Sequence, residues 1–254
     1  MRFATRCMIT LLTICGSMLA CAQIADHTNA WYTYTGNHRL SDRWGVHTEY
    51  QWRRNGPVEH WMQSLTRVGA DRYLAGGQVI TAGYAWIRSH PYGEMPVAYE
   101  FDEHRIWQQL VLGQRWGRIG LQHRYRLEQR WIENKTFVED GDGFERQHFV
   151  FRQRVRYRLQ VMFPIIGSEL KDNSFFISIW DEPFIQFGRN IGLNVLDQNR
   201  LYAGIGWRID KDRNIQLGYL NHYWIKADGM RAERNHTLQL AITWNLDLRK
   251  GWMR

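Results

Sequence analysis

The chain has 254 residues, 44% hydrophobic and 14% aromatic, with a formal charge of +8 and a mean hydropathy of -0.52. That is enough chain for one large domain or a barrel. Its three cysteines, Cys7, Cys15 and Cys21, all lie near the start, which excludes a disulfide frame, a thiol nucleophile or a thiolate metal site from the rest. The positive charge is nearly all arginine, and no Cys/His finger or recognition-helix pattern accompanies it, so nucleic acid is not an expected partner.

The first element reads as a secretory signal. Arg2 and Arg6 form its basic end, an apolar run covers 8–20, and Ala20-Cys21-Ala22 fits a small-x-small cleavage site that leaves Gln23 first. The run is too short for a comfortable membrane helix. Cleavage before Cys21 with acylation of that cysteine is the alternative; Leu19 and Ala20 suit it, Met18 does not. The organisation is therefore a signal peptide, 1–22, and a single β-barrel domain, 23–254.

Beyond residue 22 no apolar stretch reaches membrane-helix length. Apolar and polar residues alternate with period two instead, between turn residues. The alternation predicts strands at 30–39, 43–54, 60–71, 76–88, 102–116, 118–132, 145–162, 173–187, 199–209, 213–226 and 232–248. In the second, Trp44, Val46, Thr48, Tyr50 and Trp52 oppose Gly45, His47, Glu49, Gln51 and Arg53. In the sixth, Leu121, Tyr125, Leu127 and Trp131 oppose Arg118, Arg124, Arg126, Glu128 and Arg130. In the seventh, Phe151, Val155, Tyr157 and Leu159 oppose Arg152, Arg154, Arg156 and Arg158. These strands exceed the usual globular length of about five or six residues and suit tilted membrane strands of about nine to eleven.

Short turns near Ser41-Asp42, Ala75-Gly76-Gly77, Trp116-Gly117 and 210–214 alternate with longer polar loops near 89–101, 133–144, 188–198 and 227–232. That is the layout of outer-membrane barrels, and 13 tryptophans with 12 tyrosines suit two membrane–water interfaces. The expected fold class is all-β, an antiparallel up-and-down transmembrane β-barrel of about 10–12 strands in the cell outer membrane. Because single-chain bacterial barrels normally have even strand numbers, ten or twelve is expected rather than eleven. Membrane lipid and the outer-membrane insertion machinery are the expected partners.

Several segments carry a family resemblance: Ala30-Trp31-Tyr32-Thr33-Tyr34 with Leu40-Ser41-Asp42-Arg43-Trp44, the run 124–131, the run 151–158, Trp180-Asp181-Glu182-Pro183-Phe184, and Asn199-Arg200-Leu201-Tyr202. Over roughly 30–248 the chain resembles the uncharacterised family called domain of unknown function 2490. The resemblance implies a predicted outer-membrane protein of Gram-negative bacteria and brings no activity, ligand or catalytic residue with it.

The candidate site is the arginine ladder. A lipid-facing Arg costs about 2–4 kcal/mol near the bilayer midplane, so Arg118, Arg124, Arg126, Arg130, Arg152, Arg154, Arg156 and Arg158 are expected to face the lumen. Glu49, Glu128, Asp181, Glu182 and Asp247 are candidate counter-charges. If solvent or a ligand neutralises the ladder, the lumen transports or binds an anionic small molecule; if carboxylates do, it is a plugged structural barrel. Adjacent Asp181 and Glu182 must point to opposite faces, with Pro183 marking an irregularity, and one acid pairs with an arginine such as Arg200 or bridges strands. A lipid-modifying hydrolase or acyltransferase is a further reading, but no nucleophile motif accompanies the ten histidines. No catalytic residue, metal cluster or cofactor motif is singled out. Asp140-Gly141-Asp142-Gly143 resembles half of a calcium loop and lacks the remaining ligands.

Overall fold

The computed structural model describes residues 23–139 and 143–250. Residues 1–22, read above as a signal and holding the three cysteines, and Asp140, Gly141 and Asp142 of the half calcium loop lie outside the described residues.

Eleven strands form one closed barrel. They are β1 (Gln23–Arg39), β2 (Trp44–Asn55), β3 (His60–Tyr73), β4 (Val79–Ser89), β5 (Phe101–Trp116), β6 (Ile119–Val138), β7 (Gly143–Pro164), β8 (Ser174–Phe187), β9 (Leu196–Arg208), β10 (Arg213–Ile225) and β11 (Arg231–Trp244). Consecutive strands pair antiparallel. The expectation of an even number is corrected. With an odd count the first and last strands run the same way, so the barrel closes through a parallel β1–β11 ladder, from Gln23↔Arg231 to Thr35↔Thr243. β1 also starts seven residues earlier than the alternation predicts; Ala25, His27 and Asn29 are buried there in a stretch without β-branched periodicity.

Paired residues followed once round the wall lead from Ala25 through Glu233, Gln198, Arg156, Gln109 and Asp71 to Arg39, fourteen residues further along β1. That stagger over eleven strands corresponds to a tilt of about 40° and a backbone radius of about 11 Å. Side chains from opposite walls meet across such an interior without filling all of it.

The period-two pattern sorts the faces as expected. On β7, Arg154, Arg156 and Gln160 are buried inside, while Phe151 and Val155 are exposed outside. Outward aromatic rings occur near both rims, with Tyr50, Tyr84, Tyr125 and Tyr219 exposed between them. Trp44, Trp116, Phe175, Trp207 and Trp244 lie beside the short turns, and Trp61, Trp86 and Phe187 toward the opposite rim. Two connections break the short-and-long rule: 165–173 is long on the short-turn rim, and 56–59 is short on the other.

Two predicted lumenal residues are not in the lumen. Arg118 sits exposed in the β5–β6 turn, where its Nη2 donates to Pro164 O at 2.6 Å. The turn ends the alternation before the arginine can inherit the inward face. Asp181 faces outward, half-buried, and accepts a hydrogen bond from Asn199 Nδ2 at 3.0 Å. Its neighbours Trp180 and Glu182 take the inward positions, and strand parity sends Asp181 the other way. At Pro183, which has no N–H, the β7–β8 pairing skips from Arg156↔Phe184 to Leu159↔Asp181.

Candidate functional site

The lumenal arginines divide into two groups. The first is neutralised by protein carboxylates. Glu128, on β6 and fully buried, accepts from Arg154 Nε at 2.7 Å and Arg156 Nη1 at 2.8 Å, with Arg67 at 3.5 Å and Arg105 at 3.8 Å. Glu182 accepts from Arg124 Nη2 at 2.6 Å and Arg156 Nη2 at 2.9 Å. Glu49 holds Arg67 Nη1 at 2.6 Å, and Asp197 holds Arg154 Nη1 at 2.7 Å. Glu103 is shared by Arg105 at 2.5 Å and Arg130 at 2.6 Å. Five carboxylates thus link six guanidiniums into one network spanning β2, β3, β5, β6, β7, β8 and β9. Desolvated charges of this kind persist only when well paired.

The second group has no such partner. Among the described residues, no carboxylate lies within ion-pair distance of Arg53, Arg126, Arg152, Arg158 or Arg200. Four of these donate to neutral amides: Arg126 to Gln109 Oε1 at 2.6 Å, Arg158 to Gln122 Oε1 at 3.0 Å, Arg200 to Gln198 Oε1 at 3.0 Å, and Arg53 to Gln63 Oε1 at 2.5 Å. They also lie over rings. Arg53 is 3.9 Å from the centroid of Trp31, Arg200 is 4.6 Å from Phe184, and Arg126 is 4.9 Å from Trp107. Arg126 Nη1 and the Nε atoms of Arg124, Arg158 and Arg200 are buried without a hydrogen-bond partner.

These arginines border a cavity of about 640 Å³. It runs from the short-turn rim, at Arg39, Asp212 and Asp247, inward to Arg156, Arg200 and Trp31. Asp247 stays at that rim, paired with Arg249 at 2.6 Å. A second space of about 80 Å³ lies toward the other rim, and Arg67, Arg156 and Arg200 line both. The two spaces adjoin at these three side chains. Toward that other rim the β4–β5 loop folds into the barrel mouth. Tyr92 packs on a core of Trp31, Met62, Trp180, Tyr202 and Leu220, and its hydroxyl donates to Glu233 at 2.8 Å. Burial, reinforced by the Glu233 carboxylate, holds the Tyr92 phenol well above its usual range. Glu94 N donates to His27 Nε2 at 2.9 Å, and Lys226 reaches both Met95 O and Glu233. The cavity thus reaches the short-turn rim, and the Tyr92 loop occupies the mouth at the other.

Of the residues the sequence singled out, Arg124, Arg126, Arg130, Arg152, Arg154, Arg156, Arg158, Glu49, Glu128 and Glu182 do converge on the lumen. Glu182 lies opposite Arg200 in register, but its ion pairs go to Arg124 and Arg156. The sequence reading omitted Arg67, Glu103, Arg105 and Asp197. On β5, Asp102, His104 and Gln108 alternate with Glu103, Arg105 and Gln109, so both faces look polar. Asp197 is the extra residue at the Phe184/Ile185 irregularity, which turns it inward. Among the described residues no histidine bonds a serine, and no His/Cys/Asp/Glu group has metal-site geometry.

The fold and site define a closed eleven-stranded β-barrel whose interior is an arginine–carboxylate network beside a cationic cavity. The chain belongs to the family described as Protein of unknown function (DUF2490), whose model matches residues 28–233. No curated protein and no solved structure is found to match it.

Proposed function

We propose that this protein is an exported outer-membrane barrel that binds a small anionic solute in the cavity open at its short-turn rim. The observation that carries the binding reading is the set of cavity-lining arginines, Arg126, Arg158 and Arg200, that have no carboxylate partner yet keep buried N–H groups unused. A buried guanidinium edge without an acceptor is costly, and a bound anion supplies that acceptor. The Tyr92 loop favours binding over free conduction, because it folds into the barrel mouth opposite the cavity's open rim.

The membrane reading is supported by outward aromatic rings near both rims and by exposed apolar side chains such as Val68, Leu201 and Leu217 between them, interrupted by Asp181 and the Gln108–Gln129 pair. A strand of thirteen residues tilted by about 40° rises about 33 Å, enough for an apolar band of about 25 Å. The signal-like segment 1–22 supports export.

The test uses purified protein in detergent micelles and in planar bilayers. Inorganic phosphate is expected to bind saturably by calorimetry, and Arg126→Gln to weaken it at least tenfold with the sheet signal of circular dichroism retained. The bilayers are expected to stay silent. A steady anion-selective current would replace the binding reading with a channel, and absence of any anion binding would end both. Quenching of tryptophan fluorescence by brominated lipids tests the membrane assignment separately.

A further inference from the structure

The two sides of the cavity differ in chemistry. On β6 and β7, arginines stand directly opposite one another in register, Arg124 across from Arg158 and Arg126 across from Arg156. Like charges in such positions repel unless an anion lies between them. Glu182 serves Arg124 and Arg156, leaving Arg126 and Arg158 without a counter-charge. Away from Arg39 at the rim, the polar groups that β10, β11 and β1 carry into the same cavity are neutral, among them Gln216, Gln239 and Thr33.

That wall and the adjoining β9 also hold unsatisfied groups. Gln239 Oε1, Thr33 Oγ1 and Tyr202 Oη are buried and have no hydrogen-bond partner. Tyr202 lies against Gly204 and Gly218, where any Cβ would meet its ring or hydroxyl at 2.3–2.7 Å, so the two glycines make room for the ring. Its other side stacks on Trp180 at 5.2 Å and 16°. Inorganic phosphate satisfies the arginines but carries at most two O–H donors and no ring to lie beside Trp180 and Tyr202. A ligand that satisfies both walls carries an anionic group at one end and hydroxyl groups at the other, on a ring that fits beside an aromatic slab. A cavity of about 640 Å³ falls within the range of small-molecule sites, about 300–1,000 Å³.

We infer that the cavity accepts a phosphorylated monosaccharide, its phosphate between Arg126 and Arg158 and its hydroxyls on Gln239, Thr33 and Tyr202. The inference rests on the anion-binding reading above and assigns its ligand class. Phosphate suits the basic side because several guanidinium edges converge there and each phosphate oxygen accepts more than one bond.

Calorimetric titration of the full-length protein with glucose 6-phosphate, inorganic phosphate and glucose tests it. Glucose 6-phosphate is expected to bind at least tenfold more tightly than phosphate, with glucose alone giving no measurable heat. Gln239→Leu, and separately Thr33→Val, are expected to collapse that ratio toward one. Equal affinity of the wild type for glucose 6-phosphate and phosphate would overturn the inference while leaving anion binding intact. So would an unchanged ratio in both variants. No binding of either anion would remove the underlying reading as well.

Discussion

Replacing Glu128 with glutamine probes the arginine network where it is most connected. The substitution keeps the shape of the side chain and removes one negative charge that faces Arg67, Arg105, Arg154 and Arg156. None of the four is left alone. Arg67 keeps Glu49, Arg105 keeps Glu103, Arg154 keeps Asp197 and Arg156 keeps Glu182. Breaking a buried pair by removing one partner costs about 3–5 kcal/mol, and the retained carboxylates place this change at the lower end, about 3 kcal/mol. Guanidinium chloride unfolding in micelles, followed by tryptophan fluorescence, measures it. Adding Arg154→Met to Glu128→Gln restores the charge balance, so the double variant should be less destabilised than the sum of the singles by at least about 1 kcal/mol. A loss below about 1 kcal/mol for Glu128→Gln, or strict additivity, would mean that the carboxylate is not the hub and that water or ions neutralise these arginines.

Other expectations follow from the loops and chain ends. Tyr92→Phe removes the hydroxyl that bonds Glu233, a charge-assisted bond of about 1.5–3 kcal/mol, and amide exchange across 90–100 should accelerate; unchanged protection would show that the ring alone holds the loop. Asp228 accepts from the Arg231 and Met230 amides and from the Arg231 guanidinium, which lower its carboxyl from 3.8 to about 2. Because the folded-state value is depressed, this turn's contribution is complete above the ordinary carboxyl range and disappears as pH falls through about 2. The Met230 and Arg231 amides should stay protected at pH 4, and a carboxyl titration midpoint near 4 by NMR would contradict the geometry. The odd strand count puts Gln23 and the segment after Trp244 at opposite rims. Epitope tags at the two ends of the folded barrel should therefore differ in protease access in sealed vesicles, and cleavage of both from one side would contradict parallel closure.

The wall was readable wherever charge and apolarity separate cleanly onto alternate residues, as in 118–132 and 145–162. There the burial of Arg126, Arg154 and Arg156 follows from parity alone. The same rule fails where both faces are polar, as on β5, and where a turn or irregularity resets parity, as at Arg118 and Asp197. The alternation does give eleven strands, and the even number expected comes from the general rule for single-chain barrels; only the opening residues Gln23–Asn29 of the first strand carry no strand signature. Pairing across the lumen is also invisible in one dimension: Arg67 meets Glu128 from 61 positions away, and the contact depends on the stagger of the whole barrel. The Tyr92 plug was hidden for a related reason, since a polar loop gives no sign of which way it folds.

The parallel ladder between β1 and β11 has a kinetic meaning. Every other ladder joins neighbours in the chain and forms as soon as two strands meet. This one brings Gln23 to Arg231 and closes a loop of nearly the entire described chain. Gathering ends that far apart costs about 5 kcal/mol of chain entropy, recovered only when the ladder zips. Until then β1 and β11 expose two unsatisfied edges that invite strands from other chains. By loop-closure entropy the seam is expected to form last, and its thirteen registered pairs then hold the two ends of the described barrel together.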